Sequence, residues 1–156
     1  MIEIYTDGSC LGNPGNGGWA FIVKKKDSIH SRSGYAIDTT NNQMELTAAI
    51  KAIEFIDSDE VINIFTDSNY VKNGITSWIK KWKINNRINS SKQPVKNKKL
   101  WERLDELNST KHVKWQWVKA HDTNTFNNRV DLLARESAEN LTESSFDGAG
   151  EYFSKV

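Results

Sequence analysis

Short runs of apolar residues, some of them alternating with polar ones, predict five β-strands along the chain. In HVKWQWVK, Val113, Trp115 and Trp117 fall on one side and polar residues on the other, which is the two-residue period of a half-buried strand. The remaining runs are rich in Ile, Val, Phe and Tyr, residues that favour strands. The predicted strands are residues 2–6, 19–25, 29–35, 61–66 and 112–119.

A three-to-four-residue spacing of apolar positions predicts four helices. In TTNNQMELTAAIKAIEFI, apolar residues between Leu46 and Ile53 recur at i, i+3, i+4 and i+7, and polar residues occupy the opposite face. Similar stripes predict the other helices, at residues 71–82, 100–107 and about 129–140.

The order of these elements predicts a mixed sheet. Short turns join the first three strands, so the first and third point the same way, and a helical crossover returns the fourth in that direction. The fourth strand can therefore lie parallel beside the first. We expect an α/β fold with one domain over residues 1–141 and a polar, loosely ordered tail at 142–156. The glycine-rich loop GSCLGNPGNGG is expected to lack regular structure.

Two of the strands end in the same way, in IYTDGS and IFTDSN, which places Asp7 and Asp67 at equivalent strand tips. If the two strands are parallel neighbours in register, these backbones are about 5 Å apart. Glu45 projects toward the face of its helix that meets the sheet. Asp131 borders the apolar stripe of the last helix, where NNRVD echoes NNQME. Each echo taken alone also resembles a helix capping box with an asparagine cap, which needs no function.

Four converging acids would raise one another's pKa and destabilise the fold unless a cation lay between them. Clusters made only of carboxylates suit hard divalent ions such as Mg²⁺ or Mn²⁺. Two such ions about 4 Å apart can stabilise both the attacking and the leaving oxygen of a phosphodiester displacement. The sequence therefore predicts a metal-dependent phosphodiesterase site.

The charge distribution points to a polyanionic partner. The chain has 156 residues and a net charge of +1, but residues 68–101 contain nine basic residues and no acid. The remaining 12 basic and 20 acidic residues leave the rest of the chain at −8. Clustered lysines gain affinity for nucleic acid by releasing its counterions, although a merely solvated face is the alternative. We call residues 80–99 the basic handle.

The single cysteine, Cys10, excludes an internal disulfide, and no stretch approaches the apolar length of a membrane span. The start of the chain lacks a basic segment followed by an apolar one, so no secretory signal is expected. We expect a cytoplasmic protein.

The chain resembles the bacterial type 1 ribonuclease H family, which cleaves the RNA strand of RNA/DNA hybrids. The resemblance extends to about Asn140 and rests on several ordered motifs. These are YTDGSCLGNPGNGGWA, TTNNQMELTAAI, TDSNYV, GITSWIKKW, PVKNKKLW, WVKAH and NNRVDLLAR. It implies the ribonuclease H-like fold, a five-stranded mixed sheet of order 3-2-1-4-5 flanked by helices.

The resemblance also implies residue roles. Asp7, Glu45, Asp67 and Asp131 would hold two Mg²⁺ ions, with Asp7 bridging both, and hydrolysis would leave 5′-phosphate and 3′-hydroxyl ends. His121 matches a family histidine that assists proton transfer or product departure, although a lone loop histidine is otherwise an idle surface group. The implied substrate-binding residues, for a monomer acting on the hybrid, are Cys10, Asn13, Thr40, Asn41, Asn42, Asn69, Trp78, Lys80, Lys81, Lys83 and Arg87.

The tryptophans have a simpler interpretation. Trp78, Trp82 and Trp101 lie on apolar helix stripes, and core packing is the favoured role for most of them.

Four positions depart from the family pattern. Asn69 stands where glutamine is usual, and Arg87 where many relatives carry a handle tryptophan. Ala120 replaces a glycine before His121, and the following DTNTF differs from the usual loop. Two alternative functions remain open: another nuclease or transposase of the same superfold, and a catalytically silent module that only binds hybrids.

Overall fold

The structure, a computed structural model, describes residues 1–84, 96–118 and 125–149, without the side chains of Trp82 and Lys83. Six strands form one sheet in the order β5-β4-β1-β2-β3-β6. The strands are β1 (Ile2–Cys10), β2 (Gly15–Lys24), β3 (Ile29–Thr39), β4 (Ile62–Thr66), β5 (Val113–Trp117) and β6 (Ser144–Gly148). The helices are α1 (Asn41–Phe55), α2 (Asn69–Asn73), a π-helical turn (Gly74–Trp78), α3 (Ile79–Ile84), α4 (Lys98–Thr110) and α5 (Thr125–Asn140).

The predicted strand order 3-2-1-4-5 is confirmed. β1 pairs antiparallel with β2 and parallel with β4, and Tyr5 lies opposite Phe65 in the parallel pair. Continuing this register by two residues brings Asp7 level with Asp67. β5 pairs parallel with β4 on the far side.

The sheet has one strand more than predicted, so the expectation of a loosely ordered end is wrong for β6. This strand pairs antiparallel with β3, and side chains fasten it there. Arg32 donates two hydrogen bonds to the carboxylate of Asp147, at 3.0 and 3.1 Å, and His30 Nδ1 lies 2.6 Å from the same carboxylate. Phe146 packs against the apolar cluster under α5. The segment SSFDG is short and mostly polar, so its own pattern does not indicate a strand.

The glycine-rich loop is also more regular than predicted. β1 continues to Cys10 and β2 begins at Gly15, leaving only residues 11–14 outside the strands. Gly18 explains why small residues are needed here, because a Cβ at this position would lie 2.0 Å from the carbonyl oxygen of Ala134 in α5. The absence of a side chain therefore lets α5 pack closely on β2.

The core occupies both faces of the sheet. One face carries Ile4, Phe21 and Ile64 against α1 and α4, and the indole of Trp101 is fully buried in this cluster. The other face carries Tyr5, Ala20 and Ile22, which pack against α5. Among the residues that the structure describes, no helix is long and apolar enough to cross a membrane.

Candidate active site

Three carboxylates from three different elements meet at one edge of the sheet. One oxygen each from Asp7, Glu45 and Asp67 lies within 4.8 Å of the other two. Asp7 is only 9% exposed and lies within β1, just beyond its pairing with β4. Asp67 is the first residue after β4. The parallel register of the two strands therefore places the two aspartates side by side.

Glu45 reaches the aspartates because α1 starts very close to β1. A Cβ on Gly8 would lie 2.4 Å from the backbone nitrogen of Glu45, so only glycine permits this approach. The backbone N–H of Gly8 donates a hydrogen bond to the Glu45 carboxylate. Oε2 of Glu45 is nevertheless buried and has no hydrogen-bond partner among the described residues. Such an orphaned buried oxygen is costly unless a ligand satisfies it.

Asp131 reaches the same place from α5. Together with the other three acids it lines a cavity of about 220 Å³, and its carboxyl is within hydrogen-bonding reach of Asp7. Arg135, one turn further along α5, approaches Asp131 at 3.5 Å. The described lining of the cavity includes no Lys, Arg or His. Among the described lining residues no cation balances the negative charge of the cluster, and Arg135, which pairs with Asp131, lies outside that lining.

The electrostatic consequence is a pair of strongly perturbed acids. Burial, together with the charges of Asp67 and Asp131, raises the pKa of Asp7 from its ordinary 3.8 to about 8. Burial also raises the pKa of Glu45 well above its usual range, followed by repulsion from Asp7 and Asp67. Perturbed carboxyls grouped in a cavity are typical of functional sites. The all-oxygen donor set and the orphaned Oε2 of Glu45 both fit a hard divalent cation.

The two helix starts differ from the predicted asparagine caps. Thr40 caps α1, since its hydroxyl accepts from the backbone N–H of Gln43 at 3.2 Å, and Asn41 is the first helical residue. α5 begins at Thr125, so Asn127 lies inside the helix and Asp131 is in its second turn. Both interpretations of the NN motifs as caps are therefore wrong. The asparagine side chains do not cap these helices.

Several predicted substrate-binding residues line the same edge of the protein. The thiol of Cys10 lies 3.4 Å from the carbonyl oxygen of Thr39, which brings the turn at residues 11–14 close to the start of α1. The side chains of Asn13, Asn41 and Asn42 are exposed there. Asn69 is exposed at the first position of α2, two residues after Asp67.

The basic handle is described only in part. Lys80 and Lys81 are exposed on α3, whereas Trp78 is half-buried and packs edge-on against Tyr70 with ring centroids 5.6 Å apart. His121, Arg87 and the side chain of Lys83 lie outside the described residues.

Sequence reasoning missed a polar network that joins α1, α2 and α4. The hydroxyl of Tyr70 accepts hydrogen bonds from Asn97 at 3.1 Å and from the indole N–H of Trp101 at 3.0 Å. Gln43 donates to Asn97 at 3.2 Å, and Asn97 has a left-handed backbone, with φ of 59°. The sequence gives only a weak signal for this network, because an asparagine before a lysine-rich helix start is common. This network fixes the start of α1 relative to the base of the handle.

Comparison with known proteins identifies the family. The RNase H family profile matches residues 1–139 of the chain. The chain belongs to the ribonuclease H family. The Ribonuclease H of Parvibaculum lavamentivorans is 52% identical over 136 residues, covering 87% of this chain and 91% of that protein. The Ribonuclease H of Ehrlichia ruminantium is 49% identical over 134 residues, covering 86% and 92%.

Solved structures share the fold of this chain. The crystal structure of LC9-RNase H1, a type 1 RNase H with the type 2 active-site motif, superimposes with a TM-score of 0.86 at 25% identity, covering 99% of this chain and 81% of that one. LC11-RNase H1 in complex with an RNA/DNA hybrid superimposes with a TM-score of 0.69 at 23% identity, covering 90% and 98%. The second likeness, at this identity, concerns the fold alone.

We predict that Asp7→Asn raises the metal-free melting temperature at pH 8 and changes it far less at about pH 4. The raised pKa means that folded Asp7 holds its proton up to about pH 8, whereas the unfolded chain loses it near pH 4. The stability linked to this proton is therefore complete below about pH 4 and is lost progressively as the pH rises from there to about 8. The neutral amide avoids the loss, which corresponds to a gain on the order of 2–5 kcal/mol at pH 8. Thermal unfolding in chelator measures it.

Asp147→Asn is the matched control, because Asp147 is ion-paired with Arg32 rather than placed among acids. We expect that variant to melt at the same or a lower temperature at pH 8. An Asp7→Asn protein that melts no higher than the wild type at pH 8 would show that the acids do not repel one another.

Proposed function

We propose that the protein is an endoribonuclease that hydrolyses the RNA strand of RNA/DNA hybrids, leaving 5′-phosphate and 3′-hydroxyl ends. The observation that supports this most directly is the meeting of Asp7, Glu45 and Asp67 within 4.8 Å, with Asp131 in the same cavity. Two relatives that are about half identical over most of their length bear the name Ribonuclease H. Site and family therefore support the same reaction.

The proposal includes two Mg²⁺ ions as cofactor. Asp7, Glu45, Asp67 and Asp131 would hold them, and Asp7 would be the shared ligand, since it lies within 4.8 Å of Glu45 and Asp67 and within hydrogen-bonding reach of Asp131. When bound, divalent ions stabilise the charge that develops on the attacking and leaving oxygens of a phosphodiester. The carboxylates must lose their protons to bind a cation, which requires Asp7 and Glu45 to give up the protons that their burial retains.

The residues around the metal centre would select and orient the RNA strand. The 2′-hydroxyl distinguishes RNA from DNA, and small polar side chains can bond to it from the minor groove. Asn41 and Asn42 are exposed four and three residues before Glu45. Asn13 and Cys10 approach the same helix start through the contact of Cys10 with Thr39. This arrangement supports a reading surface directly beside the hydrolytic cavity.

Thr40, Trp78 and the handle would hold the DNA strand. The exposed ammonium groups of Lys80 and Lys81, with Lys83 and Arg87, would bind its phosphates, and Thr40 would hold one phosphate near α1. The hydroxyl of Thr40 accepts from Gln43 and so still has its own proton to donate. His121 would assist proton transfer or product release. We propose that the enzyme works as a monomer, since one chain supplies all four acids. We also propose that it works in the cytoplasm.

Incubation of the purified protein with labelled RNA/DNA hybrid, duplex RNA, duplex DNA and single-stranded RNA tests the proposed reaction. We expect cleavage of the hybrid alone, dependent on Mg²⁺ and abolished by chelator. Asp7→Asn should reduce the rate by at least about 10³-fold, because it removes the shared metal ligand, while hybrid affinity stays nearly unchanged. Cleavage of other substrates, or retained turnover by Asp7→Asn, would contradict the proposal.

A protein that binds the hybrid with no cleavage under any metal would instead be the silent binding module.

The handle predicts a measurable salt dependence of hybrid binding. Replacing Lys80, Lys81 and Lys83 by glutamine should weaken hybrid binding. The plot of log association constant against log salt concentration should become less steep, by about 0.7–0.9 for each phosphate that a lysine no longer neutralises. Lys25→Gln combined with Lys26→Gln is the control, because these lysines lie at the β2–β3 turn, at the opposite end of β1 from Asp7. An unaltered slope in the handle variant would refute its role in phosphate binding.

A further inference from the structure

A second cavity lies next to the catalytic one and shares part of its wall. It has a volume of about 360 Å³ and is bounded by the end of β4, the start of α2 and the end of β5. Asp67 and Val118 line both cavities. A groove therefore continues from the carboxylate cluster, across Asp67, toward α2 and β5. This groove offers a path away from the cluster for a chain of nucleotides that lies over it.

The second cavity differs from the first in its charge. Lys72 lines it and lies one helical turn after Asn69, on the same face of α2. The ammonium group of Lys72 makes no ion pair or hydrogen bond within residues 1–84, 96–118 and 125–149, and the residue is exposed. The ammonium group of Lys72 therefore belongs to the cavity that Asp67 shares with the carboxylate cluster.

The opposite wall is rigid and aromatic. Trp117, half-buried at the end of β5, stacks on Trp115 with centroids 5.6 Å apart and planes inclined by 10°. The indole N–H of Trp115 donates to Asn108 at 2.8 Å, which fixes the pair against α4. The backbone N–H of Val118 donates to the carbonyl oxygen of Thr66 at 3.0 Å, so the ends of β4 and β5 stay together. The cavity is therefore preformed.

We propose that this cavity is a subsite for the RNA-strand phosphodiester next to the one that is cleaved, with Lys72 as its phosphate ligand. This inference rests on the proposed hydrolysis of hybrids. A lysine ammonium binds phosphate as a point charge, and the flat indole wall accommodates the adjoining sugar without competing for the charge. The metal centre would hold the phosphodiester that is cleaved and Lys72 would hold the next one, so the RNA strand would be fixed in place for attack.

The position of Lys72 separates it from the handle. Lys80 follows it by eight residues, which is about 12 Å along a helical segment. Lys72 shares a cavity with the metal ligand Asp67, whereas Lys80 does not. The strand that contacts Lys72 is therefore the strand being cleaved, while the proposed partner of the handle is the DNA strand.

Lys72→Gln tests the subsite, because the exposed side chain can change without disturbing the core. We expect the KM for the hybrid to rise about 3–10-fold with little change in kcat, and the salt slope of binding to fall by about 0.7–0.9. Lys25→Gln, which removes one exposed charge far from the cluster, should leave the KM unchanged. An unchanged KM and salt slope in Lys72→Gln would overturn the proposal.

Hybrids with one neutral methylphosphonate locate the contact. In metal-free binding, the substitution at a single RNA-strand phosphate beside the cleavage site should weaken wild-type binding but have no further effect on Lys72→Gln. If the loss of affinity from the methylphosphonate and the loss from Lys72→Gln multiply at every RNA position, the two groups do not interact and the assignment is overturned. It is also overturned if the methylphosphonate that has no further effect on Lys72→Gln lies on the DNA strand. This experiment measures binding without turnover. It can therefore contradict the subsite while hybrid cleavage is still observed, and it can be carried out even if the protein does not cleave the hybrid.

Discussion

Mutual repulsion among buried carboxylates is the constraint on which the arrangement of this protein depends. Asp7 and Glu45 are held beside Asp67 in a cavity whose described wall offers no balancing base. Burial raises the pKa of both Asp7 and Glu45, so the metal-free fold retains protons that an isolated carboxyl would lose. A site of this kind reduces the stability of the free protein, and a divalent cation restores it by replacing those protons.

The fold brings the acids together through a few close backbone approaches. The parallel pairing of β1 and β4 sets the two aspartates level, and Gly8 lets α1 begin against β1 so that Glu45 joins them. Gly18 has the corresponding role for α5, which supplies Asp131. The Tyr70–Asn97–Gln43 network then fixes the start of α1 against α4. The site is thus built on rigid elements, as precise catalysis requires.

Much of this arrangement could be predicted from the sequence, because its causes are local and repeated. The two Thr-Asp motifs and the crossover helix predict that Asp7 and Asp67 meet, and the helical periodicity predicts that Glu45 faces the sheet, although β1 runs on to Cys10 and Asp7 is therefore not at its end. Strand β6 could not be predicted, since SSFDG is held by distant partners on β3 rather than by its own propensity. The strand residues within the glycine-rich segment could not be predicted for a similar reason, because Gly18 permits close packing against Ala134 and does not form a turn. Thr40, not an asparagine of NNQME, caps α1. Threonine and asparagine are both good caps, so the sequence does not decide between them and the backbone geometry does.

Calorimetric titration of the protein with Mg²⁺ at pH 7, in buffers of different ionisation enthalpy, tests the central claim most directly. If burial and repulsion keep Asp7 protonated up to about pH 8, as its pKa indicates, metal binding must expel that proton. We expect release of about one proton or more per protein, and less in Asp7→Asn. Binding with no proton release would mean that the carboxylates are already ionised and unstrained, which would contradict the account.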